Sequence, residues 1–271
     1  MREWATPRRV VLLVIGCLVA LFLLAPVIVN IPIGLTSENS LSWPPRGYSF
    51  RWFENIIDDP GWSSSLVLSV IVAAGTACLS IAVGVPTALG LVRGRFPGQR
   101  IVAGLMMAPL LVPTIIIAIG MYFVWTLGWQ VGPFAIGGDL IGTIPGYILA
   151  HTAIASPYVV ILVGVSLGNF DRELELAARG LGASPWRAFR RITVPLILPA
   201  IVGGGLLAFL TSWDEPLIAL FLAQPGQETL PVRMFTAAKE AVDPTVAAVS
   251  TVVSATTVVV LGVLTLLRRR R

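Results

Sequence analysis

The chain has 271 residues, 56% of them hydrophobic and only 12% charged, with a mean hydropathy of +0.86. A soluble globular domain is about 25% charged, so this composition excludes a soluble enzyme, a disordered chain and a nucleic-acid binder. The net charge of +5 and the pI near 9.9 do not change that, because the basic residues punctuate long apolar runs, as they do in membrane proteins.

Six apolar runs are long enough to cross a hydrocarbon core of about 30 Å, which takes about 20 helical residues. They cover roughly 10–29, 64–92, 101–127, 141–167, 197–223 and 246–267. None alternates as a strand would, so the chain reads as an all-α polytopic membrane protein with six transmembrane helices. The first run exceeds the usual signal-peptide core of about 7–15 residues and no clear A-x-A site follows, so it is expected to be retained. With the N-terminus in the cytoplasm, fifteen of the nineteen basic residues fall on the cytoplasmic side. Six spans return the C-terminus to that side, where Arg268 to Arg271 anchor the chain at membrane lipid headgroups. Cys17 and Cys78 both lie inside apolar runs, so no disulfide is expected, and with His151 as the lone histidine no metal site is expected either.

The organisation that follows is an N-terminal transmembrane helix and external loop over 1–61, a core of five transmembrane helices over 62–267, and an arginine tail over 268–271. Residues 30–62 are expected to form an irregular external cap, with Trp43, Trp52 and Trp62 as interfacial anchors. In the third run, Pro109 and Pro113 are expected bending points, as is the Gly203-Gly204-Gly205 triplet in the fifth. Gly90/Gly94, Gly142/Gly146 and Gly164/Gly168 have the spacing of small-residue helix packing.

The segment 168–196 reads as two short helices around a glycine turn. Leu174, Ala177, Ala178 and Leu181 make one apolar face, and Arg172, Glu173, Glu175 and Arg179 the other. Asp171 caps the first helix and Gly182 ends it; Ser184 caps the second, Pro185 opens it, and Pro195 is expected to end it. Two readings are open: an amphipathic hairpin lying on the membrane, or a rigid element offered to a cytoplasmic partner.

Two enzymatic readings fail on spacing. Gly164-Val165-Ser166-Leu167-Gly168 matches a nucleophile elbow on paper, but His151 lies 15 residues earlier on the same helix, about 22 Å away. A phosphate-binding Walker A loop needs a glycine-rich run before its lysine, and Lys239, the only lysine, has none.

The fifth run holds Trp213-Asp214-Glu215-Pro216. Carboxylates inside a span cost a few kcal/mol each and usually face a cavity or a partner. Pro216 has no N–H for the Ser212 carbonyl, and His151 in the fourth run lies at similar depth. Carboxylates, a bare carbonyl and an indole suit an organic cation. The alternative is that Asp214 and Glu215 hydrogen-bond a neighbouring span. Tyr122 and Trp125 are either pathway walls or interface anchors.

The string Glu175-Leu176-Ala177-Ala178, with Gly182, Ile192 and Pro195 at the following intervals, resembles the EAA loop of bacterial ABC importer permeases. Leu176 stands where that pattern has glutamate, and Val194 replaces a leucine. Gly47 to Phe53, Ser212 to Pro216, Leu230 to Arg233 and Asp243 to Ser250 resemble the second permease subunit of the spermidine/putrescine-type subfamily. The resemblance implies the type I importer permease fold in a bacterial inner membrane. It also implies that Glu175, Ala177, Ala178, Gly182, Ile192 and Pro195 couple the chain to an ATPase. Trp213, Asp214, Glu215, His151, Tyr122 and Trp125 are the candidate pathway residues. The implied partners are two ATPase copies that bind the ATP and magnesium, a second homologous permease and an external solute-binding protein. This chain itself would hold no cofactor and perform no catalysis. Competing expectations are the same machine for a sugar or amino-acid derivative, and a secondary transporter that needs no ATP.

Overall fold

The computed structural model describes residues 7–131, 134–136, 138–240 and 243–269. Its described residues form twelve α-helices and one small hairpin. The helices are α1 (Pro7–Gly34), α2 (Arg51–Asp58), α3 (Pro60–Arg93), α4 (Gln99–Met107), α5 (Thr114–Leu127), α6 (Ile144–Gly168), α7 (Glu173–Gly180), α8 (Pro185–Ala188), α9 (Val194–Trp213), α10 (Leu217–Leu222), α11 (Leu230–Glu240) and α12 (Thr245–Arg269). The hairpin pairs β1 (Trp129–Val131) with β2 (Phe134–Ile136), antiparallel, with Gln130 opposite Ala135. Five helices or helix runs are long and apolar enough to cross a membrane, and a bent pair makes a sixth. The Arg270–Arg271 end of the arginine tail lies outside the described residues.

The chain divides into two units. One comprises residues 1–60 and 236–256. There α1 is apolar and exposed from Val10 to Leu24, a surface that lipid tolerates and water does not. The expected irregular cap proves partly ordered. Thr36 pairs with Tyr48 in an isolated bridge, and α2 follows. Gly34 lies against the α12 backbone, where an added Cβ would come within 3.0 Å of Ala248 Cα. Asn55 Nδ2 donates to Thr245 Oγ1 at 3.0 Å, and Asp243 Oδ1 accepts from Thr245 N at 2.8 Å, capping α12.

The other unit comprises residues 61–235 and 257–271. Its axis is α6, which is buried over more of its length than any other span and packs along α9. The reason is steric. A Cβ on Gly204 would lie 2.8 Å from Val159 Cα, and one on Gly205 would lie 2.6 Å from Ile81 Cδ1. The glycine triplet expected to bend the fifth span therefore does something else: α9 is continuous through it, and the missing side chains let helices approach. The pairs singled out by spacing contribute less. An added Cβ on Gly90 or Gly168 meets open space, Gly164 has ordinary contact with Val92, and Gly142 lies in a turn with φ +72°. Gly204→Val is expected to destabilise the chain by about 3 kcal/mol, the upper end for overpacking, because a backbone atom blocks the new methyls. Gly90→Ala should leave the detergent-solubilised protein's melting temperature level or slightly raised.

The third apolar run is not one straight span. Its two halves, α4 with its short 3₁₀ extension Ala108–Leu110 and then α5, meet at 106°. Pro109 and Pro113 remove backbone donors, and Pro113 takes an extended ψ of 131° that stops helix propagation. The bend falls where the prolines led one to expect it. The fifth run is interrupted too, at 214–216, so α9 and α10 share what reads in sequence as a single span.

Candidate functional site

The interruption in the fifth run begins where Pro216 cannot donate to the Ser212 carbonyl. Asp214 N still reaches Leu210 O at 3.3 Å, closing the last turn of α9. Glu215 Oε1 accepts from Ile218 N at 2.8 Å and caps α10. Glu215 thus holds the break in shape while bringing a carboxylate to it, and Asp214 beside it is exposed.

Both residues line a cavity of about 650 Å³. The other helix break, Pro109 to Thr114, lines the same cavity, as do Tyr158 of α6 and Thr211 of α9. Non-helical backbone at membrane depth is tolerated where it lines a cavity or is buried in protein. Here two breaks line the same space. The C-terminal carbonyls of α9 add partial negative charge, and the N-terminus of α5 at Thr114 adds partial positive charge. Each helix end amounts to about half a charge, so two carboxylates dominate when ionised.

The other four candidate pathway residues lie elsewhere. His151 is fully buried, with Nδ1 2.7 Å from Ser212 Oγ, and Ser212 in turn donates to Thr76 Oγ1 at 3.4 Å. It ties α6 to the last turn of α9 and α3, and does not line the cavity with Asp214. Trp213 is buried and stacks on Phe209 with centroids 5.9 Å apart. Trp125 is buried and pins α5 to α6 through Nε1 to Gly146 O at 3.0 Å. Tyr122 packs edge-on against Phe221 of α10. In place of these, the cavity recruits Tyr158 and Thr211, which sequence reasoning passed over. Thr211 precedes Asp214 by three residues and so shares its helix face, a signal that was available.

The segment 168–196 forms the expected hairpin, with one change at its end. Asp171 Oδ1 accepts from Glu173 N at 2.9 Å. Gly182 N donates to Arg179 O and Ala183 N to Ala178 O, both at 3.0 Å, with Gly182 at φ +88°. This is a Schellman stop, and the left-handed position requires glycine. Ser184 Oγ accepts from Arg187 N at 3.3 Å, capping α8. Pro195 does not end the second helix. A π-turn over Phe189–Thr193 widens the backbone just ahead of it, and the helix runs on into α9 from Pro185 to Trp213.

Of the hairpin candidates, Ala177 and Gly182 are exposed, Ala178 and Ile192 half-buried, and Pro195 exposed. Glu175 faces inward. Its Oε1 accepts from Arg93 Nη1 at 3.0 Å and from the Thr193 hydroxyl. Burial pushes the Glu175 carboxyl up, but the Thr193 hydroxyl and the Arg93 guanidinium, with Arg172 nearby, outweigh it and hold it below the usual carboxylate range. The outer surface is apolar instead: Leu176 is 61% exposed, Leu181 91% and Trp186 68%. Arg179, Arg187 and Arg190 stand exposed among them.

The family described as binding-protein-dependent transport system inner membrane component matches residues 80–271. The chain belongs to that family. It is a permease component of a membrane transport system. It is 34% identical to the putrescine transport system permease protein PotI of Escherichia coli K12 over 251 residues, covering 92% of this chain and 86% of that one. It is 31% identical to the spermidine/putrescine transport system permease protein PotC of Haemophilus influenzae over 233 residues, covering 85% and 86%. The molybdenum transport system permease protein ModB of Mycobacterium bovis is 32% identical over 216 residues, covering 78% and 82%. Among solved structures, a bacterial ABC transporter that imports the acidic polysaccharide alginate superposes with a TM-score of 0.68, 16% identity and 99% coverage of both chains. The MetNI methionine ABC transporter gives a TM-score of 0.51 at 19% identity, covering 76% of this chain and 92% of that one. These two likenesses show the fold, that of ABC importer permeases.

Proposed function

We propose that this chain forms part of the translocation pathway of an ATP-driven importer of polyamines such as putrescine and spermidine, working by alternating access. The observation that carries the substrate class is the pair Asp214 and Glu215 lining a cavity between two helix breaks. A protonated amine about 5 Å from a carboxylate gains on the order of 3 kcal/mol at an effective dielectric constant near 20, and an anion loses as much. The likeness to a molybdenum permease supports a second reading, an anionic solute, nearly as well by identity alone. The sign of the cavity charge favours the cation.

The apolar outer face of the hairpin receives a separate ATPase, which binds ATP and magnesium and performs the hydrolysis; this chain is a conduit and not an enzyme. Two ATPase copies, a second homologous permease and an external binding protein complete the machine. The biased placement of arginine supports a cytoplasmic hairpin and cytoplasmic termini. ATP binding on one side and loaded binding protein on the other bias two global states.

The test is uptake into proteoliposomes holding the complete transporter with ATP enclosed. Labelled putrescine or spermidine should accumulate, and a tenfold excess of unlabelled polyamine should suppress the signal about tenfold while molybdate leaves it unchanged. Accumulation of molybdate without polyamine uptake would refute the substrate class. Polyamine uptake indifferent to ATP would refute the coupling and favour a secondary transporter.

A further inference from the structure

Glu175 lies on α7 and Arg93 at the end of α3, 82 residues earlier in the chain. Their ion pair is 3.0 Å long, and the two side chains are only 19% and 22% exposed. The Arg93 guanidinium also lies over the Phe170 ring, 5.3 Å from its centroid. Glu175 Oε1 accepts in addition from Thr193, a buried residue of the π-turn leading into α9. One carboxylate therefore joins the hairpin to two long helices. Its link to α9 repeats a connection the chain already makes. Its link to α3 joins elements that the backbone does not connect locally.

Midway along its length, α3 touches the last turn of α9, just before the acidic pair. Thr76 accepts a hydrogen bond from Ser212, two residues before Asp214. Arg93 and Thr76 are 17 residues apart on one helix, a span of about 25 Å. Pro86 removes one backbone bond within it, but the helix is continuous.

We infer that Arg93 and Glu175 are positioning residues that make α3 a push-rod, delivering displacement of the hairpin to the break at Asp214. The inference rests on the reading of the hairpin as the ATPase dock, and it assigns an ion pair inside this chain, facing away from that dock, to the transmission. Arg93→Gln and Glu175→Gln are to be compared with wild type in the reconstituted transporter, together with the charge swap Arg93→Glu/Glu175→Arg. ATPase subunits retained, hydrolysis rates and solute taken up per ATP are measured in each.

The expected result is that both single variants keep the ATPase and hydrolyse ATP within twofold of wild type. Uptake per ATP should fall at least tenfold, and the swap should recover a substantial part of it. Unchanged uptake per ATP in both single variants overturns the push-rod. So does loss of the ATPase, or an equal fall in hydrolysis and uptake, that the swap fails to restore, since that is the signature of a merely structural contact. A wild-type complex that holds no ATPase overturns the docking reading itself, and is seen before any variant is made.

Discussion

Asp214→Asn is expected to lower polyamine uptake at subsaturating concentration about 100-fold while the transporter still assembles. The substitution is nearly isosteric and removes one of the two carboxylates that line the cavity. A lost attraction on the order of 3 kcal/mol corresponds to about two decades, at 1.4 kcal/mol each. Glu215→Gln is the informative companion. A glutamine oxygen can still accept from Ile218 N and cap α10, so the break keeps its shape and only charge is lost. The same order of loss in both variants, with hydrolysis and assembly preserved, would tie transport to charge. Initial rates of labelled putrescine uptake measure it, and wild-type rates in both would remove the cavity from the pathway.

Gly182→Val should reduce ATP-driven uptake to background. At φ +88° a β-branched residue is strongly disfavoured, and even an ordinary L-residue loses about 1–2 kcal/mol there. Nothing lies within 4 Å of an added Cβ, so the strain is purely conformational and confined to the turn. Relieving it undoes the two hydrogen bonds that set the angle between α7 and α8. The helix spans should persist while co-purification of the ATPase fails. Gly182→Asn tests the cause, because asparagine tolerates the left-handed region and should retain most of the coupling. A valine variant that imports normally would show that the turn's geometry is irrelevant to docking.

The readable parts of this molecule are those governed by local chemistry. Asp171, Gly182, Ser184 and Pro185 each act within a few residues of themselves, and the hairpin formed as their order implies. Pro195 was misleading because its cost to the helix depends on the five residues before it, where a π-turn had already opened the backbone. Gly203 to Gly205 carried two meanings, bend or close approach, and only the facing Val159 and Ile81 chose between them. The acidic pair announced itself as costly in a span, but depth alone could not separate His151 and Trp213, which are buried, from Tyr158 and Thr211, which line the cavity.

Hydrophobic run length, proline placement and the order of capping residues were enough to establish a helical membrane chain with a bent third span and a capped hairpin, because each of these follows from the chemistry of neighbouring residues. Tertiary structure alone decided that the two breaks face one cavity, that the glycine triplet brings α6 and α9 together, and that Glu175 turns inward to Arg93. Those outcomes depend on which helix faces come into contact, and residues as far apart as 93 and 175 carry no local mark of the partner they will meet.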